Sequence, residues 1–244
     1  MSSYEESVRT ELARWQQRMQ QPPTRLGRTS ALLQRRINKL IPARIHQLIT
    51  AAIKQMTRAM LFGAEALNRP PTVGLTLPQR ETKVIARIDF YKRAGAVEGG
   101  ATGAGGLLLG LADFPLLMGI KMKLLFELAA IYGYTTSDYR ERVYMLSIFQ
   151  LAFSSQERRQ QVYTQLANWP EHSRQLPADI HQFDWLTFQQ EYRDYIDLVK
   201  LAQLIPGIGA AVGLVANYQL IDQLGQTAMN AYRMRWLDEG IYRP

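Results

Sequence analysis

Apolar residues recur at steps of three and four along almost the whole chain. From Leu33 they fall at Leu33, Ile37, Ile41, Ile45, Leu48, Ile49, Ile53, Met56 and Met60, one face of a helix that Pro42 must kink or divide. "NRPPTVGLTLP" (68–78) is a Pro/Gly connector in which "TVGLTL" offers a short extended piece, and helical spacing resumes at about Glu81. Asp113 ahead of Phe114-Pro115 reads as an N-cap, opening a helix through "LLMGIKMKLLFELAAIY" that stops at Gly133. "TTSDYRER" starts another, running to about Phe153. Residues 169–183, with Pro170 and Pro177, form a second connector, and Asp184 to Asp238 reads as two helices broken near Pro206-Gly207. No alternating run is long enough for a sheet. The pattern predicts an all-α protein: a charged helical extension (1–28), then one helical domain (29–240) built around two Gly-rich apolar helical hairpins near 99–120 and 204–221.

Composition narrows the chemistry. A 244-residue chain with 47% hydrophobic and 20% charged residues can bury a substantial core. It has no cysteine, which excludes disulfides, thiolate catalysis and Cys-based metal sites and suits a reducing compartment. "MSSYEESVRTELARWQQRMQ" lacks the apolar run of a secretory signal, so the expected location is cytoplasmic, peripheral on the cytosolic face of the inner membrane where the chain meets lipid.

Charge changes the picture further. The formal net charge is +8, and no acidic residue lies between Glu11 and Glu65. Arg28, Arg35, Arg36, Lys39, Arg44, Lys54 and Arg58 are interleaved with the apolar face described above, an arrangement suited to an anionic lipid surface. Nucleic acid is disfavoured as a partner, because no aromatic residue between Trp15 and Phe62 offers a base a stacking surface. A packed helix with a solvated cationic face is the competing reading.

The glycines admit three readings. "PGIGAAVG" lacks the strand before it that a dinucleotide loop needs, and neither glycine cluster leads into Gly-Lys-Ser/Thr. Residues 201–221 are free of charge, near the span of a bilayer, but hold Gln203, Pro206, Asn217 and Gln219. Gly99, Gly103, Gly106, Gly207, Gly209 and Gly213 would let helices approach closely in water or in lipid.

Signals for catalysis are sparse. The three histidines, His46, His172 and His181, sit in no metal or triad spacing, and nothing points to a cofactor or a metal. Glu98, Asp113 and Glu127 stand among apolar residues, and a hairpin that gathered them would make a paired-carboxylate or metal-dependent hydrolytic site. The structural alternative makes Asp113 a cap and pairs Glu98 with Lys121 or Arg233.

"GAVEGGATGAGGLLLGLADFPLLM", "YGY" at 132–134 with Asp138, and residues 188–237, "FQQEYRDYIDLVKLAQLIPGIGAAVGLVANYQLIDQLGQTAMNAYRMRWL", resemble the EcsC family, as do "INKLIPARIHQLITAAIK" and "MLFGAE". The resemblance covers roughly residues 30–240. It implies that Glu98, Gly99, Asp113, Tyr132, Gly133, Gly207, Gly213 and Asn217 occupy the family's characteristic positions. It brings no established activity. Because the family is named for a gene neighbouring an ABC transporter in bacteria, it also implies membrane transport machinery as a partner. A fainter likeness connects the glycine-rich hairpins to senescence/spartin-type lipid-binding domains.

Overall fold

The computed structural model describes residues 3–22, 43–62, 65–103, 114–154, 156–184 and 210–239. Over these residues the chain is all-α, with eight α-helices and no strand: α1 (Ser3–Gln20), α2 (Ala43–Phe62), α3 (Leu77–Gly103), α4 (Phe114–Tyr132), α5 (Tyr139–Phe153), α6 (Gln156–Ala167), α7 (Trp169–Gln175) and α8 (Ala210–Asp238).

Helix boundaries follow local chemistry. Gly133 ends α4 with φ +95°, its N–H donating to Ala130 O while the Tyr134 N–H donates to Ala129 O. That pair of bonds is a Schellman motif, which needs a left-handed residue where glycine has no Cβ penalty. Asp138 caps α5 by accepting from the Arg140 N–H at 2.9 Å. Helix α3 begins at Leu77, earlier than the spacing suggested, because Pro78 falls in the first turn where no donor is needed and Gln79 Oε1 accepts from the Thr76 N–H. The connector expected at 169–183 instead contains α7, with Pro170 in its first turn, and a 3-10 turn at Ile180–Gln182. "TVGLTL" is irregular, with Gly74 at φ +71°.

Packing centres on two long helices. α3 and α8 form the most extensive helix pair, α4 packs on both, and α5 lies against α8. Apart from Arg140 and Arg142, every residue of α5 is buried. α2 covers α4 and α5. Residues 1–28, expected as an extension, hold α1, whose Val8, Leu12 and Trp15 enter the common core, Trp15 meeting Tyr163 edge-on at 5.7 Å.

Two arginines close helix carboxyl ends from the side. Arg80 donates through Nη1 to Thr72 O and to Ile131 O in the last turn of α4, and through Nε to Leu75 O. Arg142 donates to Leu61 O at 2.8 Å in the last turn of α2 and to Ser137 O. Each places a cation where carbonyls lack intrahelical partners and the helix dipole is negative.

Close approach of α3 and α8 depends on Gly95 and Gly225, neither of which the sequence pattern singled out. A Cβ on Gly225 would stand 2.7 Å from Ile88 Cγ1 and 2.9 Å from its Cγ2 and Cδ1, whereas a Cβ on Gly95 would collide only with the end of the Ile221 side chain. Since alanine gains about 1 kcal/mol over glycine in a helix, Gly95→Ala should be near neutral. Gly225→Ala should cost about 1–3 kcal/mol in urea unfolding, because the branch point of Ile88 cannot rotate away. Adding Ile88→Ala should recover part of that loss relative to Ile88→Ala alone; equal costs in both backgrounds would refute the contact.

Candidate functional site

Charge pairing sets how the long helices lie. Arg233 of α8 grips Glu81 of α3 in a bidentate pair, Nε to Oε1 at 2.7 Å and Nη2 to Oε2 at 2.6 Å, with both side chains buried. Lys92 meets Asp222 at 2.9 Å further along. With Ile88 against Gly225 and Gly95 against Ile221, rising numbers on α3 meet falling numbers on α8, so the helices are antiparallel. On α4, Glu127 accepts from Tyr91 of α3, and Arg80 reaches Ile131 O, which makes α4 antiparallel to α3 as well.

That register brings one end of each helix together. α3 ends at Gly103, α4 starts at Phe114 and α8 starts at Ala210, all at the end remote from Glu81 and Arg233. The two glycine-rich stretches, about a hundred residues apart, are thus joined to the same end of the bundle. α2 finishes at the α4–α5 turn, where Arg142 holds its last carbonyls, so its amino end, with Arg44, is remote from that turn.

Around this end the described surface carries aromatic rings and charges of both signs, Lys92 pairing with the part-exposed Asp89 and Asp222. Arg93 on α3, Lys123 and Leu116 on α4, and Tyr218 on α8 are exposed, with Lys92 Nζ 4.7 Å from the centre of the Tyr218 ring. At a rise of about 1.5 Å per residue, Arg93, Lys123 and Tyr218 sit about 12–15 Å from the helix ends. Phe90 adds an exposed ring one turn further back.

Beneath lies a polar position inside the core. Tyr132 donates to Met229 O at 3.4 Å and stacks on Tyr232, fixing α4 against α8. Lys121 is then about 16 Å and Asn217 about 18 Å from that contact toward the glycine-rich end, the same level to within a helical turn. Both are fully buried, and both amide atoms of Asn217 lack a hydrogen-bond partner. Burial pushes the Lys121 ammonium down to about 7.

The candidate carboxylates are placed unequally. Glu127 accepts from Tyr91 at 2.9 Å and pairs with Arg87 Nε at 3.2 Å, a position about 10 Å along α3 from Glu98. Glu98 lies in α3 with its side chain outside the described residues, and Asp113 lies outside them altogether. Arg233, expected as a partner of Glu98, is held by Glu81 and by Glu11 at 3.1 Å, because those carboxylates share its level in the bundle. Among the described residues no group of three His, Asp or Glu is arranged to hold a metal.

Of the candidate cations, Lys54 and Arg58 are exposed on α2; Arg44 is in α2 with its side chain outside the described residues, as are Arg28, Arg35, Arg36 and Lys39 entirely. Gly99 and Gly103 fall in α3 and Gly213 in α8, their surroundings not described, and Gly106, Gly207 and Gly209 lie outside.

Sequence reasoning missed the buried pairs. Besides Glu81–Arg233, Glu141 of α5 binds Arg235 at 2.6 Å and accepts from Tyr232, while Arg235 lies over the rings of Tyr134 and Tyr144. Burial raises the Glu141 carboxyl against the opposing pull of Arg235. The available signal was position: Glu81 falls one and two helical turns before the apolar residues Val84 and Ile88, which share its buried face.

The EcsC protein family model matches residues 6–237. The chain is similar to Protein EcsC of Bacillus subtilis (strain 168), with 41% identity over 230 residues, 94% of each chain. It is also similar to the uncharacterized protein YdbA of the same organism, 28% identical over 148 residues, covering 61% of this chain and 54% of that one. No solved structure gives a significant match.

Lys121 carries a pH test. Its folded pKa of about 7 is below the unfolded value of about 10.4, so the unfolded state binds more protons between those limits and stability rises with pH there. Lys121→Met should therefore raise the melting temperature more at pH 7 than at pH 10. A gain independent of pH would show that the ammonium keeps an ordinary pKa in the fold.

Proposed function

The chain belongs to the EcsC protein family, and from that premise we propose that it is a membrane-associated protein that binds an anionic leaflet through the glycine-rich end of its bundle. The observation that carries this reading is the convergence of α3, α4 and α8 at one end, with Arg93, Lys123, Leu116 and Tyr218 exposed on these helices. Arg93, Lys123 and Tyr218 stand about 12–15 Å from the helix ends, and one leaflet of hydrocarbon is about 15 Å deep. Aromatic and basic side chains at that depth suit the headgroup region. Among the described residues no helix is long and apolar enough to cross a membrane. The basic segment from Arg28 to Arg44 leads into α2 and adds cations to the same contact. Binding is favoured over turnover because Glu127, the one candidate carboxylate whose side chain is described, is engaged by Tyr91 and Arg87. Membrane transport machinery is the protein partner this placement suits.

The test is flotation with vesicles of phosphatidylcholine alone or mixed with phosphatidylglycerol. Wild type should float with the anionic vesicles only, and salt should weaken its recovery. Each cation near an anionic leaflet contributes about 1 kcal/mol, so Arg93→Glu with Lys123→Glu should weaken binding at least about 30-fold. The melting temperature should not change, since both side chains are exposed. Equal recovery of the double variant would refute docking through this end.

A further inference from the structure

A second site lies at the opposite end of the molecule, beside the last turn of α2. A groove of about 520 Å³ is lined by Arg58 and Phe62 of α2 and by Ile180, His181 and Phe183 of the 3-10 turn. It continues for about 300 Å³ along α2 past Gln55 and Ala59, sharing Arg58 and Phe62.

Both walls of this groove hang from one place, the first turn of α5. Arg142 holds the α2 wall through the Leu61 and Met60 carbonyls. Tyr139 holds the other, donating to Pro177 O and meeting Phe183 edge-on at 6.3 Å, and Arg140 donates to Leu176 O. The separation of the walls is therefore set by a capped helix end within the core rather than by a loose surface segment.

The lining has a definite chemistry. Phe62, Ala59, Ile180 and Phe183 are apolar, and no carboxylate is among the described lining residues. The polar groups are Arg58, Gln55 and His181. Arg58 is exposed and, among the described residues, joins no ion pair and donates no hydrogen bond. Asp179, next to the groove, accepts from the His181 backbone N–H. An unpaired cation beside an apolar trough suits one anionic head on one apolar body. One wall is α2 and the other a 3-10 turn, and among the described residues no sheet edge receives the amides of an extended peptide, which would go unpaired against apolar rings. An acyl chain has no such groups to satisfy. The volume falls within the range of small-ligand sites, roughly 300–1,000 Å³.

We propose that this groove binds a single-chain anionic amphiphile, a carboxylate or phosphate ester head on the exposed, unpaired Arg58 with its acyl chain along Phe62, Ile180 and Phe183. This does not rest on the membrane reading, because the site is at the other end of the bundle.

Calorimetric titration of the full chain below micellar concentrations tests it, using laurate, dodecyl phosphate and the uncharged monolaurin. Wild type should bind the two anions and bind monolaurin at least tenfold more weakly. Arg58→Gln should lose at least tenfold toward the anions and leave monolaurin unchanged. Phe62→Ser should weaken all three, and Arg93→Glu with Lys123→Glu should alter none. A preference for laurate assigns a free fatty acid, and a preference for dodecyl phosphate assigns a phospholipid-type head. The proposal is overturned if wild type binds neither anion, if Arg58→Gln binds them as wild type does, or if a short peptide ending in Phe-Leu carboxylate binds more tightly than either.

Discussion

The bidentate pair between Glu81 and Arg233 is the constraint on which the arrangement of this protein depends. It joins residues 152 positions apart near one end of the most extensive helix contact, with Tyr4 donating to Glu81 and Glu11 reaching Arg233 from α1. Two parallel hydrogen bonds of a planar guanidinium to a carboxylate tolerate little sliding or rotation. A buried pair of this kind adds little net stability relative to apolar residues of the same volume, but leaving one partner alone costs about 3–5 kcal/mol. Its effect is therefore on register. Displacing α8 by one turn would strand both charges and drive Ile88 away from the space that Gly225 leaves for it.

From that register follows a bundle with two unlike ends. One collects arginines and tyrosines: Arg235 between the rings of Tyr134 and Tyr144, Tyr132 stacked on Tyr232, Arg80 and Arg142 on the carbonyls of helices that finish there. The cations there meet carboxylates, carbonyls and ring faces. Toward the other end the described residues bury Lys121 and Asn217 among apolar side chains.

The division of labour bears on how carboxylates in apolar surroundings are read. Glu127 looked like a member of a catalytic group and is a partner of Tyr91 and Arg87 on the flank of α3 and α4. Glu81 and Glu141, which carry the buried pairs, lie among ordinary charged neighbours in the chain and drew no notice. An acidic residue's role depends on what stands opposite it, and helices that place partners 94 or 152 positions away leave no local trace of the pairing.

Much of the architecture is decided locally. Apolar steps of three and four set the helical class, and Asp138, Gly133 and Phe153 mark boundaries where they were expected, since caps and left-handed glycines act within a few residues. Recognition of the EcsC family rested on linked motifs and holds over residues 6–237. Composition, with no cysteine and an excess of cations before residue 70, is likewise a property of the chain alone. What required tertiary structure was every relation across the bundle. Gly95 and Gly225 matter through Ile221 and Ile88, and Lys121 acquires its depressed pKa through burial by three helices. The convergence of one end each of α3, α4 and α8 follows from helix direction and register. Short-range rules cannot supply these, because side chains meet across helices whose order and offset are chosen by the packing and charge pairing of the whole fold.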